Sequence, residues 1–199
     1  MDTKVITINN YDWNDLVKIC GKTCDGKSRP SLGYVYCEFV GDWCTAYAAD
    51  GFRLSKLEFR CEKGIDLAEV LILYLKPHRA PAGTKIVQLF VDQDKDQYDI
   101  VFVDGDEDVL ESVTEPIPKF ADPVDIPKIA KSCEEKIDQY NRGQGQYCIA
   151  MNPKRLLAAL EGFKSCDSVV LHFGGPCDAM MIRPRDDLQA RAFVLPMRL

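Results

Sequence analysis

The 199-residue chain holds no apolar run approaching the roughly 20 residues of a membrane-spanning helix, and its start, MDTKVITINNYDW, lacks a basic stretch followed by an apolar one. A soluble, cytoplasmic protein is expected. Histidine is scarce, with His78 and His172 far apart, and the nine cysteines (20, 24, 37, 44, 61, 133, 148, 166 and 177) form no CxxC pair. Zinc wants clustered thiolates or imidazoles, so no metal is expected. With an odd number of thiols, several inside apolar runs, most read as reduced core cysteine. The GGP at 174–176 lacks the Gly-rich fingerprint and Lys-Ser/Thr of a phosphate loop, and VDGDED at 103–108 lacks the alternate-position spacing of a calcium loop. No motif fixes a nucleophile beside its base. Thiol chemistry at Cys20 or Cys24 therefore ranks last among the readings, and neither enzyme activity nor a cofactor is expected.

What is present is the composition of a globular domain: 46% hydrophobic and 28% charged residues, with 13 Gly and 11 Pro. A net charge of −6 argues against nucleic acid only on average. Residues 92–115 carry ten acids against the single base Lys95, a net of −9, which leaves the remainder at +3. A local basic face is compatible with that asymmetry.

Hydrophobic periodicity orders the chain into units. TKVITI (3–8) alternates as a strand, and Trp13, Leu16, Val17, Cys20 and Cys24 follow at helical spacing. Three strands come next, 34–39, 43–49 and 52–59, joined by Gly41-Asp42 and Asp50-Gly51 turns. The order then recurs: a helix expected over Asp66–Lys76, followed by strands at 85–92, 97–104 and 109–115. Prolines 116, 118, 123 and 127 interrupt the chain, which places a boundary near 127. Beyond it, Ile129, Cys133, Ile137 and Tyr140 form one helical stripe, and NRGQGQ (141–146) breaks it. A third unit has QYCIAM (146–151) as strand, Asn152 as N-cap with Pro153 at the first helical position, a helix to about Lys164, and strands at 168–173, 177–183 and 191–198. Three units of strand, helix and three strands imply an α+β fold with a faint repeat.

Two strings give this repeat a resemblance: AADGFRLSKLEF (48–59) and the terminal FVLPMRL (193–199). They resemble the bacterial sliding clamp, the beta subunit of DNA polymerase III, in which a TDGHRL-like motif follows a central-domain strand and the chain ends close to VMPMRL. NPKRLLAALEGFKSCDSVVLHFGGPCDAMMIRPRDD (152–187) is similar in order and spacing to the last half of the family's third domain. The resemblance implies a DNA-clamp fold with helices on one face of antiparallel sheets. It implies two parts: residues 1–127 as a complete clamp domain and 128–199 as a reduced one. It gives no counterpart to the family's first domain, which leaves ring closure open.

The resemblance also implies a site. In the family, an apolar pocket between the second and third domains accepts short linear peptides of polymerases and repair proteins. Carried over, its walls are Leu32, Ala49, Gly51, Phe52, Arg53 and Leu54, with Val194, Leu195, Pro196, Met197 and Arg198 from the terminal strand. The family's Thr and His are replaced by Ala49 and Phe52, so a more apolar groove is expected. Clamp helices line the hole, which nominates Lys18, Lys22, Lys76, Arg79, Lys131, Lys154 and Arg155 to face duplex DNA through phosphates, without reading sequence. The implied protein is a non-enzymatic replication or repair factor that binds linear motifs, tethers partners to DNA if it forms an oligomer, and uses no cofactor. The alternative is a shortened peptide-binding adaptor or competitor that never encloses DNA.

Overall fold

The computed structural model describes residues 3–27, 29–141, 150–175, 177–187 and 189–197, with residues 139–141 described by backbone alone. Strand β1 (Lys4–Asn9) runs into helix α1 (Asn10–Asp15), where the Asn9 side chain caps the first turn by accepting from the Asp12 N–H at 2.9 Å. A π-helical turn, Leu16–Gly21, continues it and buries Leu16, Ile19 and Cys20. The meander β2 (Val35–Val40), β3 (Trp43–Ala49) and β4 (Arg53–Arg60) follows as expected from the turn signals.

The helix expected over Asp66–Lys76 is instead strand β5 (Val70–Leu75), so the second unit has no helix. The segment VLILYL buries Leu71, Leu73 and Leu75 and leaves Val70 and Ile72 exposed, a period of two that seats three leucines in the core beside β2. A continuous apolar run hides this alternation from periodicity alone. Strands β6 (Ile86–Asp92), β7 (Gln97–Val103) and β8 (Val109–Pro116) complete the unit. Helix α2 spans Ile126–Asn141 and α3 spans Pro153–Glu161, the latter capped by Asn152 through the N–H groups of Lys154 and Arg155. Of the strand expected at 146–151, residues 146–149 lie outside the described residues, and Ala150 and Met151 are in no strand. The chain ends with β9 (Val169–Phe173), β10 (Met180–Pro184) and β11 (Ala190–Val194).

All strand pairs are antiparallel, in a four-stranded sheet β1-β6-β7-β8 and a seven-stranded sheet β5-β2-β3-β4-β11-β10-β9. The larger sheet is continuous because β4 pairs with β11, Leu54 opposite Phe193 and Arg53 opposite Val194, 140 or so positions apart in sequence. Alternation gives this sheet two faces. Its inner face (Val35, Cys37, Phe39, Leu57, Phe59, Ile182, Ala192, Val194) shares one core with the smaller sheet (Ile6, Ile8, Leu89, Ile100, Phe102), with Trp13 and Leu16 of the first helical segment, and with Ala159 and Phe163 at α3. Its outer face (Tyr36, Tyr47, Leu54, Met181, Phe193) is covered by Ile126, Ala130 and Ile137 of α2. No helix among the described residues is long and apolar enough to cross a membrane.

Candidate functional site

Asp50 builds the turn between β3 and β4. Its Oδ1 accepts the N–H groups of Phe52 (2.9 Å) and Arg53 (2.7 Å), and its Oδ2 accepts from Arg53 Nε at 2.7 Å. Gly51 sits at φ +85°, a conformation that a Cβ disfavours. The turn delivers Leu54 to the outer face, and the β4–β11 register sets Phe193 directly opposite it. One residue beyond β11, the Leu195 N–H donates to the Phe52 carbonyl at 3.1 Å, and the Met197 N–H donates to the Ala150 carbonyl at 2.8 Å. Pro196 between them has no N–H, and the strand has already stopped at Val194 rather than running to 198.

These elements enclose a small apolar cavity of about 100 Å³ lined by Leu32, Ala49, Gly51, Arg53, Leu54, Val124, Ile129, Cys133, Phe193 and Leu195. Six of the residues nominated from sequence meet there: Leu32, Ala49, Gly51, Arg53, Leu54 and Leu195. The other four described nominees lie elsewhere. Val194 is buried on the inner face, Pro196 and Met197 follow without lining the cavity, and Phe52 turns its half-exposed ring to Arg155, whose guanidinium carbon lies 3.5 Å from the ring centroid. Arg198 is outside the described residues.

Four wall residues escaped the sequence reading. Phe193 was legible from period two, since it shares a face with Leu195 while Val194 takes the other. Ile129 and Cys133 sit one helical turn apart on the α2 stripe, and the signal was there without a reason to aim it at this wall. Val124 lies in the proline-rich stretch, where no periodicity points anywhere; its N–H donates to Ser31 Oγ at 3.4 Å.

Polar groups around the cavity are already engaged. The Arg53 guanidinium is held by Asp50 and by the Lys22 carbonyl at 3.4 Å. Burial pushes the Cys133 thiol above its usual value, so it stays protonated at neutral pH. The same cause acts on Cys24, pushed up to about 12, and on Cys20, opposite to the direction a thiol nucleophile needs. Among the described residues no group of three His, Cys, Asp or Glu side chains is placed to hold a metal ion.

The nominated DNA-facing bases do not share one surface. Lys18, Lys22, Lys154 and Arg155 lie on or next to the inner-face helices, where Lys22 is paired with Glu161 at 3.0 Å and Lys18 approaches Asp15 at 4.0 Å. Lys131 is on α2, across the sheet. Lys76 and Arg79 follow β5, which the sequence reading had as a helix end, and Lys76 pairs with Glu115 at 3.3 Å.

No protein-family model matches this sequence, and a comparison with curated proteins found no match. Solved structures are similar in fold. The beta chain of DNA polymerase III from Streptococcus pneumoniae TIGR4 matches with a TM-score of 0.74 at 14% identity, over 100% of this chain and 66% of that one. The DNA polymerase sliding clamp of Bacillus subtilis matches at 0.71 and 14%, over 100% and 65%. The beta subunit of DNA polymerase III from Thermotoga maritima matches at 0.69 and 14%, over 100% and 67%. The fold is that of the sliding clamps, as the two sequence strings implied, and the chain spans about two thirds of their length.

Proposed function

We propose that this chain is a non-enzymatic, clamp-like accessory factor of DNA replication or repair that binds a short linear peptide in the cavity between the Asp50 turn and the end of β11. The observation that carries the reading is the meeting of Leu54, Phe193 and Leu195 with Leu32 and Ile129 around one apolar pocket. Such a pocket takes an aliphatic or aromatic anchor, and burying one is worth about 1.5–3 kcal/mol. Arg53 is fixed by Asp50, so it shapes the wall more than it offers a charge to the ligand. In this reading residues 1–127 act as one clamp-like part and 128–199 as a reduced second, and the pocket forms where they join. Partners are polymerases or other replication and repair proteins with exposed Leu- and Phe-containing segments.

Fluorescence anisotropy with a labelled peptide containing Leu and Phe tests the pocket. Leu195→Asp, at a half-exposed position, and Leu54→Asp are each expected to weaken binding by at least about tenfold, as loss of an anchor contact predicts. Deletion of residues 197–199 should weaken it less. Phe52→Ala should leave affinity within about twofold, because that ring faces Arg155. Unchanged affinity in both aspartate variants sinks the pocket.

The adaptor that does not enclose DNA is the second reading, and the pairing of Lys22 with Glu161 favours it. A base already engaged by a carboxylate of its own chain displaces fewer counterions on meeting phosphate. Retention on nicked circular duplex across a salt series separates the two: a salt-steep, retained complex supports the clamp, and loss at all salts supports the adaptor.

A further inference from the structure

Helix α2 covers only part of the outer face of the large sheet. Over β5, β2 and β3 the register sets that face in rows: Val70, Val40 and Trp43 in one, Ile72, Glu38 and Thr45 in the next, then Tyr74, Tyr36 and Tyr47. The tyrosines meet edge to face, Tyr36 with Tyr47 at 6.1 Å and with Tyr74 at 5.5 Å, and Tyr36 and Tyr47 pack against the residues under α2. The first two rows are open: Val70 is 59% exposed, Ile72 and Trp43 50% each, and Val40 38%. A contiguous apolar patch that holds a tryptophan is of the kind that marks an interaction surface.

One carboxylate stands in the middle of the patch. Glu38, part-buried, has Ile72 and Thr45 directly opposite and Tyr36 and Val40 along its own strand, with Trp43 and Tyr47 diagonal to it, about 7–8 Å away. None of these six carries a positive charge. The other acids on this face are engaged: Asp42 with Arg60 at 3.4 Å, Glu58 with Lys56 at 3.0 Å, and Glu134 with Lys56 at 3.2 Å and Arg191 at 3.0 Å. Among the described residues Glu38 has no ion pair and no side-chain hydrogen bond. Burial, and after it the Glu38 charge, pushes Tyr36 up to about 12, so the carboxylate acts on the ring beside it.

We propose that this face docks a protein partner through an arginine set among aliphatic side chains, the guanidinium on Glu38 and the aliphatic groups on Val40, Val70 and Ile72. Charge complementarity selects the arginine: a purely apolar partner would cover Glu38 and leave it buried without a counter-charge, a penalty that a cation removes. Arginine suits the place better than lysine, because its planar guanidinium can fork onto a carboxylate while its face lies on an aromatic ring, and Trp43 and Tyr47 flank Glu38. A phosphate backbone is the wrong occupant, since it would meet Glu38 and Glu58 across the same row. The peptide pocket begins past Tyr47, at Ala49, and shares no lining residue with this patch. The two surfaces therefore stand or fall independently.

Tryptophan fluorescence of the full chain tests the proposal, with a capped peptide of one arginine between two leucines on each side as the probe. Trp43 reports on the patch, since Trp13 is fully buried. The expected result is a saturable emission change below about 1 mM peptide, absent from Trp43→Phe. Glu38→Gln, and citrulline in place of the peptide's arginine, should each weaken binding at least about tenfold, as loss of a charge-assisted pair predicts. Glu38→Arg should reject the arginine peptide and accept one with glutamate in its place, an outcome that damage to folding does not produce. Glu38→Gln should leave binding of the Leu- and Phe-containing peptide at the pocket unchanged, which separates failure here from failure there. No saturable change up to about 5 mM peptide overturns the proposal. So does binding indifferent to Glu38→Gln and to citrulline, which is apolar adhesion alone. Free protein that sediments above 22.4 kDa and returns to that mass with Ile72→Lys shows a second copy on the face and overturns it as well.

Discussion

Asp50 and Asp15 show opposite fates of an acid in this molecule. Asp50 has three donors within 2.9 Å, two of them backbone, and fixes the turn on which the pocket depends. Asp15 is in a poorer setting. Burial raises its pKa above the ordinary 3.8, the approach of Lys18 opposes that, and the charges of Asp12 and Asp187 add to the rise. Asp12 is raised as well, chiefly by burial. An acid whose folded pKa is raised favours folding in its protonated form: its contribution is fully present below 3.8 and is lost as pH rises through the elevated folded value. Asp15→Asn is therefore expected to raise stability at neutral pH by a few tenths to about 1 kcal/mol, discounted because solvent screens the part of the group that remains exposed. The gain over the parent protein should shrink as the pH is lowered toward 4, in urea melts at several pH values. A gain that persists unchanged at pH 3 would show that the residue acts other than through its charge.

At the scale of elements, α2 supplies two walls of the pocket and is fastened to the sheet by one carboxylate. Glu134 Oε1 accepts from Lys56 Nζ at 3.2 Å and Arg191 Nη1 at 3.0 Å, joining the helix to β4 and β11 at once. Lys56 is 8% exposed and keeps Glu58 at 3.0 Å if Glu134 is lost, whereas among the described residues Arg191 has no other ion-pair partner. Glu134→Ala should cost about 1–2 kcal/mol, the penalty of leaving the largely buried Arg191 guanidinium without its ion-pair partner. Amide exchange should rise over α2 ahead of the strands, because that helix covers its sheet with few large residues, Ile126 and Ile137. Uniform exchange changes across the whole chain would contradict a local anchor. Tyr47, pushed up to about 12 by burial and by the Glu134 charge, should titrate at lower pH in the same variant.

Over the whole molecule, one core runs from Ile6 to Val194 and takes side chains from both sheets, from the first helical segment and from α3. The β4–β11 ladder crosses the boundary drawn at 127 by proline content. Urea unfolding should therefore be a single transition, with tryptophan fluorescence and far-ultraviolet circular dichroism coincident. Two separated transitions would mean that the parts fold independently. Much of this architecture was legible in the residues: the β2–β3–β4 meander from its turns, the Asn152-Pro153 start of α3 from capping chemistry, and the clamp-like fold from two short strings. The β5 strand was not, because a six-residue apolar run carries no period until its neighbours decide which side is core. The sequence by itself determined where the chain turns, which residues alternate, and that the Asp50 turn and the terminal strand carry a clamp-like pattern. Only tertiary structure decided that Leu54 faces Phe193, that α2 closes the pocket, that Phe52 turns to Arg155 and that the bases scatter over several surfaces. Local propensity acts over a few residues, whereas those outcomes depend on strand register and on the sheet face that each long-range pairing selects.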